Sequence, residues 1–311
     1  MNRYVFPSVC LLGFSGNILS FYVLLRCKLK RPSDIFLFAL TVSDCLYLLY
    51  PLDATKLLIY FGSGVASIGW AFPEKVAHAL FVINLISETF ANLGAYTTTT
   101  LAVAITVERC LAVFFPLKFK HLVTPKRAWI TVLCVFLFWS PWCLNAAFLA
   151  SFYYVRLNGA SAVGLALPSP YYNRNVHVIT VFDKFVFSAL SYWIPVILVT
   201  TGSILVGVKV KTAHRKRREL ASSSSAEALS RSMKRTTRTL LSVSMIFAVL
   251  YGYGSLADVI RSETVSSEDL LGGILLETRN LAFHINSSSN FLVYLLTNRK
   301  FRAILCESCR C

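Results

Sequence analysis

The chain is 311 residues long, 56% hydrophobic and only 15% charged, which leaves too little polar surface to solvate a compact globule of that size. Most of the cations behind its formal net charge of +16 lie in alternate segments between apolar runs and in the tail, a topology signal rather than a nucleic-acid footprint. The sequence offers no nucleophile and base together, no cluster of metal ligands and no phosphate-binding glycine loop, so enzymatic activity is not expected.

Apolar runs of about 20 residues, the length a helix needs to cross a bilayer, are predicted over 4–25, 33–61, 75–111, 127–152, 178–208, 237–260 and 274–297. The expected fold is therefore all-α, a single seven-transmembrane bundle over 1–311. Only three residues precede the first run, as a truncated amino terminus would leave. That run is read as a retained span and not as a signal peptide, because the basic cluster follows it and no small-residue cleavage site does. Most of the 31 lysines and arginines fall in the segments after the first, third and fifth runs and in the tail. By the positive-inside bias the amino terminus is expected outside a plasma membrane and the carboxyl terminus in the cytosol. None of the nine cysteines lies in a segment placed well outside the membrane, so no extracellular disulfide is expected.

Asp44 falls mid-span, where a charged side chain costs roughly 2.5–3.5 kcal/mol on insertion scales. Asn17, Thr98, Asn286, Ser287 and Asn290 lie at matching depth. Together they suit a hydrated cation such as sodium at Asp44, or a water cluster; a protonated aspartate that only joins helices is the plainer reading. Glu108 and Arg109 end the third span just before a basic loop. An adjacent acid and guanidinium there can neutralise each other at rest and separate on activation, whereas an Arg that merely snorkels to the interface has no switch role.

These residues carry a resemblance. Gly16-Asn17, Leu40 to Asp44, Glu108-Arg109-Cys110, Trp129, Pro195 and Asn290-Phe291-Leu292-Val293-Tyr294 resemble, in order and spacing, the signature set of rhodopsin-like (class A) G-protein-coupled receptors across nearly the whole chain. The stretches from His284 to Phe291 and from Leu295 to Arg302 are similar to invertebrate FMRFamide-type peptide receptors, where Phe also replaces the proline of the NPxxY motif. The resemblance implies a coupling switch at Glu108, Arg109, Asn290 and Tyr294, with Phe247 and Tyr251 in the sixth span. There the family's CWxP motif is replaced by Tyr251-Gly252-Tyr253-Gly254, and the glycines are expected to supply pliability in place of the proline. Asn84 occupies the place of the cysteine that the family bonds to the second extracellular loop, and that loop has none either, so it is expected to be less constrained. Ser203 stands where a tyrosine is usual.

At the outer end, Glu88, Asn92, Lys184, Asp258, Arg261, Arg279 and His284 form a mixed polar set suited to a short peptide or another polar ligand; each is also readable as an interfacial residue. Ala91 and Asn92 occupy the level where amine receptors place an aspartate, which disfavours biogenic amines. His284 stands where opsins carry the retinal lysine, so no retinal is expected. At the inner end the resemblance implies a heterotrimeric G protein, with arrestin and receptor kinases, engaging the loop 209–238. Residues 298–305 are predicted as a short amphipathic helix on the membrane lipid. Cys306, Cys309 and Cys311 beyond it are either palmitoylation sites or spare thiols. A chemosensory receptor and a receptor-like protein that has lost signalling are the alternative readings. A transporter is disfavoured by the absence of repeated halves.

Overall fold

The computed structural model describes residues 2–26, 29–52, 56–58, 65–66, 69–156, 162–220, 224–264, 270–297 and 299–308. The chain forms α1 (Asn2–Arg26), α2 (Pro32–Leu49), α3 (Glu74–Phe114), a short α4 (Pro116–Leu122) and α5 (Pro125–Ala147). The fifth span begins as α6 (Pro170–Val181), passes through π-helical turns at Phe182–Phe187 and Ala189–Trp193, and continues as α7 (Ile194–Leu220). Then come α8 (Ser224–Thr264), α9 (Leu270–Thr297) and α10 (Arg299–Ser308). Six of the spans are apolar and long enough to cross a bilayer by length and composition. The seventh, α9, carries the polar run from His284 to Asn290 and packs it inward, against α1, α2 and α8.

Proline and hydroxyl side chains set many of the boundaries. Pro32, Pro116, Pro125 and Pro170 each open a helix, where their missing N–H costs nothing. Thr124 and Ser169 accept from the backbone N–H of Arg127 and Tyr172, at 3.3 and 3.1 Å. Pro195 follows directly on the π turns, as expected where a residue without N–H cannot complete the i→i−4 ladder. At the centre, α3 contacts α2, α5, α7 and α8. α2 approaches it closely at Gly94, where a Cβ would collide with the carbonyl oxygen of Ser43 and lie 2.6 Å from the amide nitrogen of Tyr47.

The helices present one face to the bundle and the other outward. On α5 the buried residues are Ala128, Val132, Val135, Trp139 and Cys143, at helical spacing, while Leu133 and Leu137 are exposed. Ile204, Leu205, Met245 and Val249 are likewise exposed, an apolar exterior that lipid covers. Packing inside rests on Ile35, Leu40, Leu101, Ile105, Trp139 and Tyr294.

Two predicted spans end too late. The second was expected to reach residue 61, but α2 stops at Leu49 and a 3₁₀ turn, Tyr50–Leu52, follows around Pro51; residues 59–61 lie outside those described. The fourth was expected to reach Phe152. Instead α5 ends at Ala147 and Phe152 lies in a strand. Hydropathy cannot tell an apolar helix from an apolar strand; the aromatic and β-branched run Phe152-Tyr153-Tyr154-Val155 decides it.

That strand belongs to an antiparallel sheet that the sequence reading did not anticipate. β1 (Val65–Ala66), β2 (Gly69–Trp70), β3 (Ala150–Arg156) and β4 (Ala162–Pro168) stand in the order β1-β2-β4-β3. Trp70 pairs with Gly164, and β3 pairs with β4 along its whole length. Trp70 packs on Ala77, Leu80 and Phe81 of α3, and the Tyr154 hydroxyl donates to the Phe72 carbonyl at 3.2 Å. The loop expected to be loose without a disulfide is thus held by ladder hydrogen bonds and a buried tryptophan.

Candidate functional site

Arg109 and Glu108 are both buried near one end of α3, called here the Arg109 end; the sheet marks the other. Arg109 Nη2 lies 2.6 Å from Glu108 Oε1, and its Nε donates to Oε2 at 3.2 Å. Ser33, in the first turn of α2, completes the arrangement: its hydroxyl donates to Glu108 Oε1 at 2.8 Å and accepts from Arg109 Nη2 at 2.5 Å. The sequence reading missed Ser33. A hydroxyl one residue after a helix-opening proline, at the same end as Arg109, is the signal that would have found it. The arrangement can hold α2 against α3 while the guanidinium stays paired.

Deeper in the bundle, Asp44 is fully buried. Thr98 donates to its Oδ1 at 3.1 Å and Asn290 Nδ2 to its Oδ2 at 2.6 Å, joining α2 to α3 and α9. Ser287 Oγ lies against the carboxylate without a hydrogen bond of normal geometry. Asn17 Nδ2 donates to the Ser287 carbonyl at 2.9 Å, which brings α1 into the cluster. Asn17 Oδ1 and Tyr294 OH are buried without a partner. Asn286 is buried on the same helix, but no hydrogen bond joins it to Asp44. One buried carboxylate, with unpartnered neutral oxygens on α1 and α9, is the kind of donor set that a hard monovalent cation takes.

Toward the sheet end, an aromatic ladder links the helices. Phe247 stacks on Tyr251 at 4.5 Å between centroids, Tyr251 on Phe283 at 4.5 Å, and Tyr192 on Phe283 at 6.0 Å. Tyr251 is thus buried where α8 meets α9. At Gly254 a Cβ would stand 2.6 Å from Phe283 Cζ, so the missing side chain lets the ring pass against α8. On top of the ladder, the Arg279 guanidinium lies 5.6 Å from the Phe283 centroid and 2.5 Å from Asp258 Oδ1, with Arg261 at 3.9 Å from the same oxygen.

The remaining expected ligand residues divide. His284 is wedged between Phe6 and Tyr47, with Nδ1 at 2.5 Å from the Asn280 carbonyl. A carbonyl only accepts, so Nδ1 carries the proton and the ring is a packing element. Glu88 and Asn92 line a cavity under the β3–β4 hairpin, away from Asp258 and Arg279. Lys184 is exposed on a π turn. Trp129 is half exposed with its edge on Phe38, whereas Trp139, which the reading did not single out, is buried and donates to Thr100 Oγ1 at 2.9 Å. Ser203 is buried with no partner for its hydroxyl. Cys306 lies within α10, but its side chain, like Cys309 and Cys311, is outside what the structure describes.

A family model, the serpentine type 7TM GPCR chemoreceptor Srw, matches residues 4–311. The chain belongs to this family. It is a multi-pass membrane protein and a G-protein-coupled receptor, not an enzyme. It is 28% identical to melanin-concentrating hormone receptor 1 of Rattus norvegicus over 312 residues, covering 96% of this chain and 78% of that one. It is 24% identical to the FMRFamide receptor of Drosophila melanogaster over 306 residues, 95% of this chain and 51% of the relative. A probable G-protein coupled receptor of Caenorhabditis elegans is 26% identical over 222 residues, 70% of this chain and 48% of the relative. The chain thus spans about half the length of two of these three. As a receptor of this family, it carries an aromatic and ionic sheet end, a buried polar centre and a closed Glu108–Arg109 pair in one bundle.

Proposed function

We propose that this receptor binds a polar ligand of peptide type at its sheet end, outside the plasma membrane, and passes the signal to a heterotrimeric G protein at the Arg109 end. The observation that carries the reading is the buried Glu108–Arg109 pair held to α2 by Ser33. Breaking a buried pair costs about 3–5 kcal/mol, so it opens when another partner takes over the guanidinium, which is what a docking transducer supplies. Orientation follows from the basic segments, which belong on the cytosolic side. Arrestin and receptor kinases are assigned to the same face. The peptide class rests on the two relatives named for a hormone and for FMRFamide, together with the ionic mouth at Asp258, Arg261 and Arg279. A chemosensory role with a small-molecule ligand is the second reading, favoured by the family's own description.

The test is a screen of peptides and metabolites on cells carrying the receptor and a promiscuous G-protein reporter, with an amino-terminal tag that should label intact cells. A response to a peptide fixes the first reading and a response to metabolites alone fixes the second. A receptor at the surface, active on neither and without basal activity, leaves the signalling-deficient alternative. Asp44, Asn17 and Ser287 are proposed to hold sodium and so to restrain the inactive bundle. Asp44→Asn keeps the shape and removes the charge, so agonist affinity should lose its sodium dependence; sodium dependence unchanged in the variant makes the cluster structural.

A further inference from the structure

Where α5 ends and α6 begins, the chain leaves an open groove of about 550 Å³. Asn145 and Phe148 line it from the end of α5, Ser151 from β3, and Ser169, Pro170 and Tyr171 from the start of α6. α3, α8 and α9 contribute nothing to it, and Phe148 and Tyr171 are 68% and 47% exposed, so it opens on the exterior of the bundle, apart from the ionic mouth.

Its level in the membrane follows from α5. Arg127 stands in the first turn of that helix, beside one membrane face, and Asn145 lies about 27 Å further along at ~1.5 Å per residue, close to the ~30 Å of a bilayer's hydrocarbon core. The groove is therefore at the headgroup level of the opposite face. Toward the hydrocarbon the exterior turns apolar, with Leu144 and Val178 exposed. There Trp142 of α5 stacks on Phe182 of the fifth span, 4.9 Å between centroids, and closes the seam between the two spans one turn from Asn145.

The polar groups that remain open in the groove are donors. Asn145 Oδ1 accepts from the Tyr171 hydroxyl at a long 3.4 Å, which leaves the two N–H of its Nδ2 free. The Ser151 hydroxyl has no partner among the described residues, and neither does the exposed guanidinium of Arg174, one turn on from Pro170 along the same face of α6. No carboxylate lines the groove. Hydrogen-bond donors and one cation at headgroup level, above an apolar seam, match a phosphodiester that carries acyl chains. A sterol has no charge to set against Arg174, and a free phosphate leaves the seam uncovered.

We propose that this groove binds a phospholipid, its phosphodiester held by Asn145, Ser151 and Arg174 and its acyl chains lying over Trp142 and Phe182. Only the leaflet, the outer one, rests on the proposed orientation of the receptor. The bound lipid ties the end of α5 to the fifth span beside the π-helical turns.

The probe is phosphatidylcholine with a diazirine on an acyl chain near the glycerol, added in trace amount to the purified full-length receptor in detergent, photolysed and mapped by peptide mass spectrometry. Labelling should concentrate in 142–148 and 171–182. The exposed apolar face of α1 around Leu11 and Leu12 reports ordinary lipid contact in the same sample. Unlabelled phosphatidylcholine should compete, and diacylglycerol, cholesterol and inorganic phosphate should not. Arg174→Gln and Asn145→Leu should each lower labelling at the groove about three- to tenfold, as loss of a charge-assisted hydrogen bond at a partly wet site does, with α1 labelled as before. Both positions are at least partly exposed, so the fold withstands the changes. Even labelling of the groove and α1, or undiminished labelling in either variant, overturns the proposal. Competition by diacylglycerol or cholesterol as strong as that by phosphatidylcholine means that the phosphate is not recognised, and overturns it too. Competition by inorganic phosphate makes the groove a site for free anions and overturns the lipid assignment.

Discussion

Two guanidinium–carboxylate pairs sit at opposite ends of the bundle with nearly the same length and different surroundings. Arg109–Glu108, at 2.6 Å, joins neighbours on one helix and has side chains 10% and 2% exposed; Arg279–Asp258, at 2.5 Å, joins α9 to α8 with 24% and 33% exposed. Water reaches the second pair, so it contributes about 0–1 kcal/mol and either partner can be exchanged for a ligand's charge at little cost. The first is sealed, and separating it leaves a bare charge behind. On the proposed reading, it is burial and not distance that suits one end to sensing and the other to latching. The ladder Phe283, Tyr251 and Phe247 runs from the Arg279–Asp258 pair toward the interior.

The largest expected effect breaks the latch from its cationic side. Arg109→Ala should abolish agonist-stimulated nucleotide exchange while ligand affinity at the sheet end stays within about threefold; Glu108→Gln should instead raise basal exchange, because the guanidinium is freed. Surface level, binding and exchange are measured on the same membranes. Arg109→Ala that signals as wild type removes Arg109 from the mechanism.

Next is the packing on which both ends depend. At Gly94 a side chain would strike the backbone of α2 at Ser43 and Tyr47, which have no flexible end to give way. Gly94→Val should destabilise the receptor by about 1–3 kcal/mol, as overpacking does, read as a lowered midpoint of thermal inactivation in detergent. An unchanged midpoint would mean that α2 and α3 slide apart freely, and that the Asp44–Thr98 bond between them is not held by packing.

The third prediction separates the pairs by exposure. Asp258→Asn should change thermal stability by less than about 1 kcal/mol, yet lower the potency of any ligand that competes for Arg279 or Asp258. A stability loss as large as that of Arg109→Ala would show that the mouth pair is structural, and the contrast between the two ends would fall.

The sequence announced the latch and the centre better than the mouth. Asp44, Glu108 and Arg109 are ionisable groups in apolar runs, so each needed a partner, and the partners Thr98 and Asn290 lay at matching depth on other spans. Asn286 looked equally placed and is buried as well, yet it is not bonded to Asp44, since periodicity gives depth but not which buried side chain meets the carboxylate. The sheet was hidden because β3 is as apolar as the end of a helix, and because Trp70 pairs with Gly164 across a long separation in the chain. Ser33 was hidden for the opposite reason: a polar residue at a helix start looks ordinary until α3 is placed beside it.

Ser33 also supplies the smallest expected effect and the sharpest test of the comparison. Its hydroxyl donates to Glu108 and accepts from Arg109, so it spans both charges and ties them to α2. Ser33→Ala leaves the ion pair itself in place and removes only two hydrogen bonds to charged groups, whose net worth would reach about 1.5–3 kcal/mol each if they were sealed from water. Ser33 is only half-buried, so water replaces most of what they supply, and the net loss should be about 0.5–1 kcal/mol, the range of an ordinary exchanged hydrogen bond. Basal nucleotide exchange should therefore rise by about two- to fivefold, less than in Glu108→Gln, because a weakened latch still closes. Combining Ser33→Ala with Glu108→Gln should add little to Glu108→Gln alone, since the serine then has no carboxylate to hold. Full additivity of the two changes would mean that Ser33 acts elsewhere, and that the pair on α3 is latched without help from α2.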